Sequence, residues 1–183
     1  MNNYILEMEN ITKEFPGVKA LDNVSLKIRP NTIHGVVGEN GAGKSTLMKL
    51  LSGVYPYGTY SGVIKIDGKE KRFKNVKEAE QAGIAIIHQE LMLFPELTIA
   101  ENIHLKTMDK FVNRDKMHIE ALKWMDMVGL KEDPETVLKN IGTGKQQLVE
   151  IAKVLSLNAR ILILDEPTSA LTDHEVEHLM ELL

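Results

Sequence analysis

The chain has 183 residues, 43% hydrophobic and 26% charged, a balance that excludes a disordered tail and reads as a soluble globular domain, alone or with a subdomain. A net charge of −4 with no run of basic residues argues against nucleic acid as the main partner, because backbone phosphates are held by clustered Lys and Arg. The lack of cysteine excludes disulfide scaffolds and Cys-based zinc or redox sites, while the absence of a signal-peptide pattern at Met1–Glu7 and of an apolar run of about 20 residues means that any membrane role is borrowed from a partner.

Loose alternation at Ile5, Met8 and Ile11, then at Leu21, Val24, Leu26 and Ile28, predicts two antiparallel strands separated by the Phe15-Pro16-Gly17 turn. Phe15 has two readings, a ring lying over the base of a bound nucleotide and an ordinary core or turn aromatic. Pro30 and Asn31 turn the chain into Ile33–Val37, short and β-branched as a buried strand would be. Gly38-Glu39-Asn40-Gly41-Ala42-Gly43-Lys44-Ser45 follows and fits G-x-x-x-x-G-K-[ST], with Leu47, Leu50 and Leu51 at helical spacing until Gly53. Glycines let such a loop aim several N–H groups at phosphates, and the helix start adds its positive dipole end. Lys44 then reaches the β and γ phosphates, and the Ser45 hydroxyl holds Mg²⁺.

Beyond Gly53, a Gly- and Tyr-rich connection over 55–62 reads as loop packing, and Val63–Lys69 as a strand closed by an Asp-Gly turn. Val76–Ala82 is a short polar helix. Ile84–Ile87 is a buried strand ending in His88-Gln89-Glu90, where open α/β sheets place ligands; Gln89 there is a contact to Mg²⁺ or to an attacking water, or simply a solvated loop residue. From Leu97 to Lys139 strands vanish, and Ala100, Ile103 and Leu105, then Ile119, Leu122, Trp124, Met125 and Val128, then Val137 and Leu138 mark an inserted helical subdomain. Its methionines (Met108, Met117, Met125, Met127) and Trp124 read as core filler, and His104 and His118 lack spacing partners for a metal.

Asn140–Gln147 is a glycine-containing turn opening a helix with apolar positions Leu148, Ile151, Ala152 and Leu155, hence a second potential anion site or a plain helix start. Ile161–Leu164 is an apolar strand run ending in Asp165 and Glu166. Acids beside apolar residues are costly unless a cation or a reacting water requires them, so Asp165 suits the Mg²⁺ shell and Glu166 the polarising of a water for attack on the γ phosphate.

With the phosphate loop, Gln89, the helical insertion, the 141–147 turn and Asp165-Glu166 in this order, the chain resembles the ATP-binding cassette subunits of ABC transporters from about Ile5 to its last residue. The resemblance implies an α/β fold: a P-loop NTPase core with a mainly parallel sheet, an N-terminal antiparallel β subdomain and an inserted α-helical subdomain. It makes residues 1–183 a partial ATP-binding domain, with core at 1–94 and 156–183 and a helical subdomain at about 95–155 that carries the signature turn. ATP and Mg²⁺ are then held by Gly38, Glu39, Asn40, Gly41, Ala42, Gly43, Lys44, Ser45 and Thr46; Phe15 stacks on adenine; and Gln89 faces the membrane partner. Ile141-Gly142-Thr143-Gly144-Lys145 stands where L-S-G-G-Q is usual, Asp165 is the Walker B aspartate, Glu166 the catalytic glutamate, and Ser169-Ala170-Leu171-Thr172 the D-loop, with Thr172 in place of Asp.

Within the family, Val54-Tyr55-Pro56, Gly58-Thr59-Tyr60, Ala82–Leu91 and Lys145–Lys153 look like the amino-terminal cassette of bacterial monosaccharide importers of xylose, ribose or galactose type, with the xylose branch favoured. That implies a second cassette, a membrane permease and an external sugar-binding protein as partners, and a place on the cytoplasmic face of the cell membrane. Gly142 replaces the signature serine and removes a hydroxyl, leaving the backbone amides from Gly142 to Gly144 to serve at the composite site. The chain stops before the family's switch histidine, as though it were a C-terminally truncated piece, so ATP is expected to bind and to be hydrolysed feebly. The competing expectations are a soluble cassette ATPase acting on DNA or ribosomes and a nucleotide-dependent interaction module, for which Glu166 is an awkward residue.

Overall fold

In the computed structural model, which describes residues 3–88, 90–106, 113–165 and 171–182, the alternating amino-terminal stretch forms β1 (Leu6–Phe15) and β2 (Val18–Ile28) around the Pro16-Gly17 turn. The chain divides into two compact units, 1–84 and 85–183. The first is built on a four-stranded antiparallel sheet in the order β2-β1-β3-β4, with β3 at Ser61–Ile66 and β4 at Lys69–Lys71. Lys69 and Lys71 put charge on the outer strand, which discourages further pairing.

A bulge in β1 decides which residues enter the core. Asn10 takes a left-handed φ of 52°, its N–H donates to the Ser25 hydroxyl at 3.0 Å, and the pairing slips between Met8↔Leu26 and Ile11↔Val24. Side chains alternate with period two, so one extra residue exchanges the faces. Leu6 and Met8 are buried before it, Ile11 and Lys13 after it. Gly62 lies directly beside the bulge: a Cβ there would stand 2.6 Å from the carbonyl oxygens of both Glu9 and Asn10.

Helix α1 (Lys44–Leu51) buries Leu47, Leu50 and Leu51, and α2 (Val76–Gln81) is capped by the Asn75 side chain, which accepts from the Glu78 N–H at 3.0 Å. The expected strand at Ile33–Val37 is not one: these residues join no ladder, and Val37 is 94% exposed. Strand geometry persists only where a neighbour pairs with it, and among the described residues none does.

The second unit contains β5 (Ile84–Ile87), which begins at the division and pairs with β6 (Ile161–Leu164). With them are helices α3 (Ile99–His104), α4 (Arg114–Met127), α5 (Thr143–Ser156) and α6 (Asp173–Leu182), and a 3₁₀ turn at Leu138–Asn140. Thr98 and Glu101 form a capping box at the start of α3, the reciprocal pairing that satisfies two otherwise unpaired N–H donors. In α4 the buried residues are Met117, Ala121 and Met125, whereas Ile119 and Leu122 are 67% and 44% exposed. Spacing of four keeps 117, 121 and 125 on one stripe; of the apolar residues that marked this helix in the sequence, Met125 and Val128 are buried and Trp124 packs against the core, while Ile119 and Leu122 fall off the stripe. Helix α5 is buried nearly all round, Gln147, Glu150 and Lys153 included, and packs with α3 and α4. Met108, one of the expected core methionines, lies outside the described residues.

Candidate functional site

Gly41 and Gly43 carry φ of 86° and 91°, conformations that side chains other than glycine resist, and the second of them caps α1. No other residue fits at Gly43, since a Cβ would stand 2.4 Å from the Ala20 carbonyl oxygen and 2.9 Å from a Leu21 methyl. The loop is further fastened by the Ala42 N–H donating to the Glu39 carbonyl at 3.1 Å, and α1 begins with the Leu47 N–H donating to the Gly43 carbonyl at 2.9 Å. The Lys44 side chain folds back over the loop and donates to the carbonyls of Gly38 at 2.6 Å and Glu39 at 2.9 Å. Its ammonium is thus held over the solvent-exposed stretch 38–42, beside the first-turn N–H groups that a helix leaves without internal partners. An anionic ligand can exchange its oxygens for those two carbonyls. Ser45 is exposed on the first turn and Thr46 half-buried, so the Ser45 hydroxyl is open to a ligand.

Phe15 lies at the end of the β1–β2 hairpin, paired with Val18 and half-buried. Its ring meets Tyr55 edge to face, centroids 5.5 Å apart, and the Lys13 ammonium stands 5.0 Å from the Phe15 centroid and 5.2 Å from that of Tyr55. The phosphate loop and Phe15 therefore belong to one unit and are joined through β2, whose Ala20 carbonyl touches the loop. Tyr55 and Lys13 were not legible as site neighbours in the sequence. The tyrosine looked like loop packing, and the bulge at Asn10 that turns Lys13 inward leaves only a weak trace in the alternation.

In the second unit, Gly142 is the N-cap of α5 with an extended backbone (φ −66°, ψ 159°), and no side-chain cap bond is made there. The Gln146 side chain closes the turn, donating to the carbonyls of Ile141 at 3.0 Å and Leu138 at 3.3 Å, while Lys145 pairs with Glu132. Thr143 and Gly144 thus occupy the first turn of α5, with their N–H groups at its amino end. Asp165 follows β6, half-buried, and its N–H donates to the Ile87 carbonyl at 3.0 Å, which sets the carboxyl ends of β5 and β6 side by side. Gln89, Glu166, and Ser169 and Ala170 of the expected D-loop lie outside the described residues. Thr172 is not a free loop residue: its N–H and hydroxyl both donate to the Glu175 carboxylate at 2.8 Å, which caps α6, and the Thr-x-x-Glu spacing was the signal for it.

Two buried polar clusters also escaped notice. Lys153, on α5, pairs with Glu150 at 3.2 Å and donates to the Met92 carbonyl; both side chains are under one-tenth exposed. Asn102 accepts from the Phe94 N–H at 2.8 Å and donates to the carbonyls of Phe94 and Thr98 at 3.0 and 2.9 Å. Together they pin the strap between Glu90 and Thr98, leaving the side chains of Met92 and Phe94 each 54% exposed.

The residues present suit a triphosphate with a hard cation. The loop offers a Cβ-free cradle and a lysine, and the exposed Ser45 beside them offers a hydroxyl oxygen, the ligand type that Mg²⁺ takes. No helix among the described residues is long and apolar enough to cross a membrane.

The sequence pattern of the family described as ABC transporter matches residues 21–169. The xylose import ATP-binding proteins of Geobacillus kaustophilus and Moorella thermoacetica are 58% and 60% identical over the whole of this chain, which spans 37% of each. The L-arabinose transport ATP-binding protein of Geobacillus stearothermophilus is 55% identical, with 36% of its length spanned. Among solved structures, cbiO1 from Clostridium perfringens, part of the ABC transporter complex cbiONQ, superposes with a TM-score of 0.82 at 25% identity, covering 99% of this chain and 72% of that one. A dimeric ATP-binding cassette in a post-hydrolysis state with ADP and Pi gives a TM-score of 0.81 at 25% identity, covering 97% of this chain and 80% of that one. The α/β fold is accordingly that of the ATP-binding cassettes, with the antiparallel amino-terminal sheet as one part of it.

Proposed function

The chain belongs to the ABC transporter family, and from that premise we propose that it binds ATP with Mg²⁺ and acts as the ATP-hydrolysing cassette of a monosaccharide importer, xylose being the favoured sugar. The observation that carries the reading is the Lys44 ammonium held over a glycine loop at the start of α1, with Gly43 seated where no side chain fits. Gly38–Thr46 would hold the phosphates and Phe15 the adenine. Lys44 and the loop amides offset charge on the transferred phosphoryl group, so catalysis is mostly positioning and electrostatics. Ser45 and Asp165, with Gln89, are the groups assigned to Mg²⁺, which when bound supplies positive charge against the phosphate oxygens. Glu166 is assigned the orienting of the attacking water, and the Gly142–Gly144 amides a phosphate held by a facing cassette.

The partners are a second cassette, a membrane permease and, through it, an external sugar-binding protein, which places the chain at the cytoplasmic face of the membrane. The helical stretch at about 95–155 is the subdomain that carries the signature turn between the core segments 1–94 and 156–183. The 55–60% identity to pentose import cassettes supports a sugar over DNA or ribosomes as the cargo system.

Isothermal calorimetry with Mg·ATP tests the first step. Binding is expected for the wild type and at least about a tenfold loss for Lys44→Ala, since a charge-assisted contact to phosphate is worth roughly 1.5–3 kcal/mol. Absence of any heat of association with the folded wild-type chain rules the proposal out.

A further inference from the structure

We propose that Lys13 and Tyr55 are positioning residues for the nucleobase: they set the Phe15 ring at a fixed attitude, Lys13 over one face and Tyr55 across its edge, so that the remaining face receives a flat base. The inference rests on the reading that the 38–46 loop holds a nucleoside triphosphate whose base meets Phe15.

Lys13 stands in a place that packing alone does not explain. It is only 7% exposed, among the most buried charged residues described, and no carboxylate pairs with it among the described residues. Its ammonium donates to the Thr59 carbonyl at 2.6 Å and otherwise faces the two rings. Burying an ammonium is costly without compensation, and a carbonyl with two π faces is what compensates it here. A leucine would fill the same space at lower cost were filling all that was needed. The β1 bulge at Asn10 is what brings Lys13 and Phe15 to the inner face together, for without that extra residue Thr12 and Glu14 would point inward instead.

Tyr55 couples this cluster to the phosphate loop. Its N–H donates to the Lys49 carbonyl at 3.2 Å, on the last turn of α1, the helix that Lys44 opens. From the other side, Phe15 pairs with Val18, and two residues on the Ala20 carbonyl lies against Gly43. The aromatic platform is therefore tied to the loop through β2 and through α1, which sets the spacing between a base on Phe15 and a phosphate at Lys44. A cation behind the ring also draws charge from it, favouring an electron-rich base on the free face.

The test compares Mg·ATP with inorganic triphosphate by calorimetry on the full chain, in wild type, Tyr55→Ala, Lys13→Met, Tyr55→Phe and Lys13→Arg, with thermal melts to check folding. ATP affinity should fall about tenfold in Tyr55→Ala and Lys13→Met, while triphosphate affinity holds, and the two conservative variants should keep most of the ATP affinity. A parallel fall for both ligands would mark Lys13 and Tyr55 as structural only, and unchanged ATP affinity would mark them as bystanders; either result overturns the inference. Equal wild-type affinity for ATP and triphosphate would remove the base from Phe15 and overturn it too. Failure of wild type to bind either ligand would instead strike the proposed function. Should Tyr55→Ala unfold, Lys13→Met, which keeps the buried stem, decides the matter.

Discussion

The α-carbon of Gly43 lies so close to Ala20 that a side chain cannot be added: the built Cβ would be 2.4 Å from the Ala20 carbonyl oxygen. Gly41, two residues earlier and also left-handed, has nothing within 4 Å of the corresponding position. The two glycines thus separate backbone strain from steric exclusion. Gly41→Ala should cost only the left-handed penalty, about 1–2 kcal/mol. Gly43→Ala adds displacement of β2 and should be clearly more destabilising in urea titrations. Equal midpoints for the two variants would contradict the close approach.

The Glu150–Lys153 pair in α5 is nearly dry, with side-chain exposures of 2% and 7%. Removing one partner strands the other charge, so Lys153→Met should cost about 3–5 kcal/mol. Replacing both, as Lys153→Met with Glu150→Leu, should recover much of that loss, because the desolvation cost disappears along with the attraction. Denaturation midpoints of the single and double variants decide it. A double variant as unstable as Lys153→Met would mean that the Met92 carbonyl, rather than Glu150, is what needs the ammonium.

The cap on α6 predicts an acid-sensitive contribution. Hydrogen bonds from the Thr172 backbone N–H, and then from its hydroxyl, hold the Glu175 carboxyl below its ordinary value. A folded pKa below the unfolded one stabilises fully above the unfolded value and less as pH falls through the folded one. Thermal melts from about pH 7 down to pH 3 should therefore show a loss in wild type that is shallower in Glu175→Gln. At neutral pH, Thr172→Ala should cost about 1 kcal/mol. A Glu175→Gln profile parallel to that of wild type would count against the cap.

Gly142 caps α5 without a side chain, although its backbone is in the extended region and a Cβ there would meet nothing within 4 Å. Serine at such a position accepts a hydrogen bond from the first turn and gains a few tenths of a kcal/mol over glycine. Gly142→Ser should therefore raise the melting temperature by about 1 °C. A lowered melting temperature would show that the turn depends on glycine itself.

Much of the site was written in consecutive residues. The glycines before Lys44 imply a curled backbone and a helix start, both local properties of the chain, and the structure contains them: Gly41 and Gly43 are left-handed and α1 opens at Lys44. The turn before α5 and the acid after β6 were legible for the same reason. Family membership could also be inferred from the order of these motifs, and the family match over residues 21–169 agrees.

Other features depended on what came to lie alongside. Ile33–Val37 has the composition of a strand but no pairing neighbour among the described residues, and composition cannot supply one. In α4, Ile119 and Leu122 are as apolar as any core residue, yet α3 and α5 meet the stripe of Met117, Ala121 and Met125. One unpaired residue at Asn10 turned Lys13 and Phe15 to the face where Tyr55 waits. Sequence determined the chemistry of the loop, because backbone torsions and side-chain reach act over a few neighbouring residues. Tertiary structure alone decided which faces were buried and which groups met, because pairing and packing join residues that the chain order keeps apart.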